Sequence, residues 1–299
     1  MTPVSLPREA ALVVNAQSRK GQDLFESARG KLEQAGVRLV AAHAVTDPAQ
    51  LDDVVRQVVR DGAPMVIVGG GDGSMSGTVD ELVGTGCVFA VLPLGTANSF
   101  ARTLGIPLDL DGAVDVIAHG RCRRIDLGMI NDDYYVNGAS LGLSPLIGES
   151  VPHKLKRYLG RLGYLIWALR CAVNFKPFRL IIDDGSRTHR LWSTEVRILN
   201  GPFHGGVELS PNAGVDSGEI VIQAVVGRSL VRLALDWYSK FFRFRDSNAH
   251  TREFRGTEFR LDTRPHLRIS IDGEVLARTP VHVRVAKKAV LVAVPAPPP

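Results

Sequence analysis

The sequence predicts an α/β N-terminal domain with a mostly parallel sheet, followed by a β-rich C-terminal domain built as a sandwich. Two observations predict it. Over the first part of the chain, short apolar runs alternate with amphipathic stretches in strand–helix–strand order. Beyond it, short runs with two-residue alternation or β-branched enrichment are separated by turn signals. The 299-residue length leaves room for two hydrophobic cores. The expected division is 1–126 and 127–294, with the proline-rich 295–299 as a disordered tail.

In the first half, "ALVVNA" (11–16) suits a strand buried on both faces, and "QDLFESARGKLEQAG" (22–36) a helix stopped by Gly36. "VRLVAAHAV" (37–45) is a second strand. The helix in "DPAQLDDVVRQVVRDG" (47–62) has Asp47 as its cap and Pro48 at its first position. "PMVIV" (64–68) and "CVFAVLP" (87–93) are the third and fourth strands. "LGTANSFARTLGIP" (94–107) reads as a turn and short helix, and "DGAVDVIAHG" (111–120) as a further helix. The second half offers seven strand-like runs, at 121–130, 132–140, 178–186, 193–201, 218–227, 258–264 and 266–274. Helical stretches are expected near 154–174 and 229–242.

Composition excludes several classes. With 45% hydrophobic and 22% charged residues the chain is globular, and a net charge of +5 is too small to argue for nucleic acid. It suits anionic substrates or an anionic membrane surface. Cys87, Cys122 and Cys171 have no metal or disulfide spacing and read as buried thiols of a reducing compartment. No signal peptide and no run of about 20 apolar residues is present, so the expected location is cytoplasmic.

Ligands of parallel sheets gather beyond the carboxyl ends of the strands. That rule brings together "NAQSRKG", Thr46, "GGGDGS" and "PLGTAN". The third loop resembles a phosphate cradle, yet Asp72 stands at its centre. No lysine follows for a P-loop, and Ser76 stands at the third glycine position of a dinucleotide fingerprint. A carboxylate among phosphates makes sense beside a bridging metal or as a proton acceptor, both features of phosphoryl transfer. The plainer alternative is a helix cap. "IDGE" offers Asp272 and Glu274 two apart, which fits either a cleft-facing acidic turn or an ordinary Asp-Gly hairpin.

"GGGDGSMSGTVDEL" (69–82) followed by "VLPLGTANSFARTLGIP" (91–107) resembles the catalytic domain of the soluble bacterial diacylglycerol kinase and sphingosine kinase family. "NAQSRKG", "NGPFHGGVELSPNAGVDSGEIVIQAV" and "ISIDGE" extend the resemblance over nearly the whole chain. It implies a fold like that of NAD and diacylglycerol kinases, ATP and magnesium, and a lipid alcohol as acceptor: diacylglycerol, a sphingoid base or similar. It places Asn15, Ser18 and Lys20 near the phosphates and Thr46 near the nucleotide. Gly70, Gly71, Asp72, Gly73, Ser74, Met75 and Ser76 would form the triphosphate loop, and Gly95, Thr96 and Asn98 its second wall. Thr96 and Asn98 are equally readable as helix caps. Asp272 and Glu274 would be catalytic, Glu274 as proton acceptor, with Asp72 on the metal side or a rival base. The family's structural magnesium is supported by a second aspartate where this chain has Ser217 after Asp216, which argues against that site here.

Leu155, Leu159, Leu162, Ile166, Leu169 and Val173 form an apolar stripe with Lys154, Lys156, Arg157, Arg161 and Arg170 mostly off it. The stripe fits a helix packed on the β-rich half, or one that meets anionic lipid at the inner membrane surface. The expectation is an ATP-dependent lipid kinase, with a homodimer compatible. Its rivals are a soluble-substrate kinase of the NAD kinase type and a non-catalytic nucleotide or lipid regulator.

Overall fold

The computed structural model describes residues 5–17, 19–150, 167, 170–233 and 251–297, without the side chains of 19, 20, 144, 148–150 and 274–276. Most of the two helical stretches expected near 154–174 and 229–242 therefore lies outside the described residues. So do Ser18, the tail's last two residues, and the side chains of Lys20 and Glu274.

The first half alternates as its apolar runs dictate. Strands β1 (Glu9–Asn15), β2 (Arg38–Val45), β3 (Met65–Gly70) and β4 (Val88–Pro93) lie parallel in the order β2-β1-β3-β4. Every residue of β3 and β4 is buried, as strands covered on both faces require. Helices α1 (Arg19–Gln34), α2 (Leu51–Arg60), α3 (Asp72–Val79), α4 (Ser99–Leu104) and α5 (Leu110–His119) connect and cover them. The Asp47 side chain accepts from Ala49 N, but what it caps is a 3-10 turn, Pro48–Gln50, that leads into α2.

The second half contains β5 (Arg121–Ile130), β6 (Asp133–Tyr135), β7 (Gly138–Gly142), α6 (Leu143–Ser150), β8 (Phe178–Asp183) and β9 (Thr188–Leu199). After these come a short hairpin, β10 (Phe203–His204) and β11 (Val207–Glu208), then β12 (Ile220–Val226) and β13 (Thr251–Gly256). The chain ends with β14 (Glu258–Arg264), β15 (Arg268–Ile271), β16 (Glu274–Arg278) and β17 (Val281–Val294). These antiparallel strands fold as a β-sandwich around a second core that includes Tyr135, Phe178, Ile198, Ile222 and Phe259.

Sequence reasoning missed β17, which joins the halves. It lies antiparallel to β5 along both strands' length and to β14, and its last residues pair parallel with β4, Leu291 opposite Val88. Its alternation breaks at Lys287 and Lys288, where the register shifts and Lys288 takes a φ of 51°. Two of the three cysteines also differ from expectation: Cys87 is buried, whereas Cys122 and Cys171 are half-buried beside open surface. Burial pushes the Cys87 thiol up to about 11, an inert thiol.

Candidate active site

In the order β2-β1-β3-β4, connections leave β1 in opposite directions, so a crevice opens between the carboxyl ends of β1 and β3. A cleft of about 550 Å³ lies there. Asn15, Gly71, Gly73 and Ser74 line it, as the sequence leads one to expect. The Asn15 amide donates to Ser74 Oγ across the crevice at 3.3 Å. Its far wall, Pro48, Ala49, Leu51 and Asp52, was not anticipated, although the Asp-Pro helix start was the available signal.

Other expected site residues sit elsewhere. Thr46 is exposed and absent from the cleft lining. Met75 is 2% exposed in the first core and presents no side chain to a ligand. Ser76 faces away from the cleft and donates to the second half, its Oγ 2.8 Å from Asp272 Oδ2. Gly70 ends β3, where its backbone carbonyl accepts from Leu94 N at 2.9 Å. Gly95 packs so closely on Gly71 that a Cβ on it would lie 2.5 Å from the Gly71 Cα, so the third and fourth loops touch through glycine backbone. Thr96 is exposed and Asn98 buried. Asn98 occupies the cap position of α4 at φ 47°, but its side chain folds back on the loop instead of capping: Oδ1 accepts from Gly95 N at 3.0 Å and the amide donates to Gly95 O at 2.9 Å.

The cap of α4 comes from Asp72. Its carboxylate accepts from Ser99 N and Phe100 N, each at 3.0 Å, and from the Asn137 amide at 3.3 Å. Asp72 thus lies in the first turn of α3 and against the first turn of α4, two places where backbone N–H groups favour a negative charge. A carboxylate offers about four acceptor positions, and three are used. One remains.

Asp272 is the counterpart in the second half. It sits at φ 45° in the turn between β15 and β16 and is 9% exposed. Its carboxylate accepts from Val136 N (2.8 Å), Asn137 N (3.2 Å), Gly138 N (3.0 Å) and Ser76 Oγ. Burial raises its pKa, while the Gly138 and Ser76 donors and the neighbouring His204 oppose the rise. Asn137, buried between the carboxylates, touches both: its amide meets Asp72 and its backbone N–H meets Asp272. The motifs did not reveal Asn137 or His204. The "NG" pair at 137–138 and the "NGPFHGG" run were the only signals.

The turn at 214–218 does not fit a structural magnesium. Ser217 Oγ donates to Gly214 O at 2.8 Å, and Asp216 is ion-paired with Arg123. The nearby Asp126 oxygens accept from Gly218 N (2.7 Å) and Lys288 N (2.8 Å). Among the described residues no group of three or more His, Cys, Asp or Glu side chains is placed to hold a metal.

Residues 9–130 match the model of the diacylglycerol kinase catalytic domain, and residues 138–294 match that of the YegS C-terminal NAD kinase beta sandwich-like domain. The chain belongs to the YegS family of lipid kinases. A "Probable lipid kinase YegS-like" protein of Chromohalobacter salexigens is 34% identical over 218 residues, 69% of this chain and 68% of that protein. A "Probable lipid kinase YegS" of Salmonella typhimurium is 28% identical and covers 92% of both chains. A solved structure from Bacillus anthracis described as a diacylglycerol kinase superposes with a TM-score of 0.73 at 20% identity, covering 96% of this chain and 97% of that one. The last likeness concerns the fold alone. As a lipid kinase, the chain takes ATP as substrate and transfers phosphate to an alcohol. No helix among the described residues is long and apolar enough to cross a membrane.

Proposed function

We propose that this lipid kinase transfers the γ-phosphoryl group of ATP to the hydroxyl of diacylglycerol at a membrane surface. The observation that carries the reading is the seam. Asp72 beside the phosphate-loop glycines and Asp272 in the acidic turn are joined through one residue, Asn137, so donor and acceptor sides are held at a fixed spacing. Positioning and charge neutralisation supply most of the catalysis in phosphoryl transfer. In this reading Asn15, Ser18, Lys20 and the turn from Gly71 to Ser74 receive the triphosphate, and Pro48, Ala49 and Leu51 face the rest of the nucleotide across the cleft. Gly70, Gly95 and Asn98 shape the loops behind it, and Thr46 and Thr96 lie on exposed chain at its rim. Asp72 would hold, with its remaining acceptor position, the magnesium that accompanies ATP, and that ion would supply charge neutralisation. Glu274, at the start of β16 just past Asp272, accepts the hydroxyl proton as the oxygen attacks phosphorus. The basic stretch 154–173 rests on anionic lipid.

The test incubates the full chain with labelled ATP, magnesium and a panel of diacylglycerol, a sphingoid base, other lipid alcohols and NAD. Label in phosphatidic acid is expected. Label in NAD, or in a different lipid with diacylglycerol untouched, overturns the assignment.

A further inference from the structure

His204 closes a circuit of contacts around the two carboxylates and the Asn137 that joins them. It ends β10, and the hairpin that carries it is tied to α4 by Gly206 N donating to Ser99 Oγ at 2.9 Å. The N–H of Ser99 in turn donates to Asp72. On the other side, His204 Nδ1 lies 3.5 Å from where a Cβ of Gly138 would stand, and the Gly138 N–H donates to Asp272. The imidazole therefore lies beside Gly138, whose N–H helps to fix Asp272, on a loop tied to the helix that Asp72 caps.

Most polar groups of this circuit are already engaged. Asp72 accepts three donors and Asp272 four. The Ser76 hydroxyl and the Asn137 amide are donated to them. Two groups remain. Asn137 Oδ1 is fully buried and accepts no hydrogen bond, and the half-buried His204 ring makes no hydrogen bond with the described residues. A buried amide oxygen without a donor is costly in a finished core and calls for a partner that the fold itself does not supply. Burial lowers the pKa of His204, and the charge of Arg197 adds to this, against the pull of Asp272, Asp72 and Glu195. A neutral ring offers one N–H donor and one acceptor nitrogen, the complement of an alcohol.

We propose that His204 and Asn137 Oδ1 form the receptor for the acceptor alcohol, the imidazole N–H donating to the hydroxyl oxygen and Asn137 Oδ1 orienting its hydrogen before transfer. Neither group keeps the proton, which leaves to the carboxylate base. His204 thereby selects an uncharged alcohol head group. The inference rests on the lipid kinase reading above and names the residues that recognise its acceptor.

The test uses His204→Ala and His204→Gln in the full chain, with whichever alcohol the wild-type protein labels most efficiently. A hydrogen bond to a neutral group contributes about 1 kcal/mol net, so His204→Ala should raise the KM for the alcohol by roughly 5- to 10-fold. The KM for ATP should stay within about twofold, and His204→Gln, which keeps an N–H donor, should recover part of the loss. A purely structural role would move both constants together with the melting temperature. Unchanged alcohol KM in the Ala variant, or parallel loss for ATP and alcohol, overturns the receptor. Should the Ala variant not fold, the Gln variant carries the same comparison of the two KM values. A wild-type protein that labels NAD instead of a lipid refutes the substrate assignment, and the His204 comparison is then read on NAD.

Discussion

Asp72 and Asp272 face each other across one seam and are held in opposite ways. Asp72 is set by local chain: a strand ends, a glycine turn follows, and the carboxylate falls between the first turns of two helices of the same half. Asp272 is set by distance. Its donors lie 134 to 136 residues away in the backbone around β7 and 196 residues away in Ser76. Asp72 is half-buried beside the cleft and keeps an acceptor position, whereas Asp272 is buried and saturated. In the function proposed above, the first serves a ligand and the second holds the halves in register, so that two aspartates of one site divide chemistry and architecture between them.

That division is broken most severely at Asp72. Asp72→Asn keeps the volume and one acceptor oxygen but gives up one capping bond to α4, which costs about 1 kcal/mol and a melting shift of only a few degrees. Turnover should fall by at least about 10²-fold, the scale expected for losing a positioned charge in phosphoryl transfer. Wild-type turnover at saturating magnesium would make Asp72 a cap and nothing more. Glu274→Gln should also lower kcat by ~10²-fold while leaving the KM for ATP within a few-fold, because it removes an interaction made mainly in the transition state. If Glu274→Gln turns over normally and Asp72→Asn is inactive, the proton goes to Asp72.

Asp272→Asn should produce the reverse pattern, a loss of stability larger than its change in ATP binding. Asn tolerates the left-handed conformation at this turn, so backbone strain does not enter. What is lost is a charged acceptor for three N–H groups and a hydroxyl, worth roughly 2–3 kcal/mol after the burial of the charge is offset. Differential scanning calorimetry should show a fall of about 3–5 °C. An unchanged melting temperature with inactive protein would move Asp272 from architecture to chemistry.

The same contrast explains what was legible in the sequence. The strands β1 to β4 and the loops after β1 and β3 could be read because they depend on apolar runs and glycine turns, features carried by neighbouring residues. Met75 and Ser76 were misplaced because a loop motif does not say which way successive residues of the following helix point: Met75 turns into the core and Ser76 towards Asp272. Asn137 and His204 remained hidden for a different reason. Their roles arise only when β15 pairs with β7 and the β10–β11 hairpin meets α4, contacts with no local sequence signal. β17 was lost at the lysines that interrupt its alternation, and with it the link from the sandwich to β4.

The smallest expected effect lies on the same seam, at a point where the halves repel. Asp80, at the end of α3, has its pKa pushed up to about 6, first by partial burial and then by the charges of Asp133 in β6 and Glu81. A carboxyl whose folded pKa is raised contributes stability that is fully present below its unfolded value, near 3.9, and is lost as pH rises through about 6. Asp80→Asn removes that loss. The variant should match the wild-type protein near pH 4, gain on it between pH 4 and 6, and keep a constant advantage above. Asp80 is open to solvent on one side although its carboxyl is partly covered, and solvent screening on that side limits the advantage to roughly 1–3 °C in melting temperature. High salt should shrink the Coulombic part of it, since Asp133 and Glu81 act through space. Melting curves of both proteins from pH 4 to 8, at low and high salt, measure this directly. An advantage that does not vary with pH would mean that the substitution acts on helix α3 itself and that Asp80 bears no repulsion across the seam.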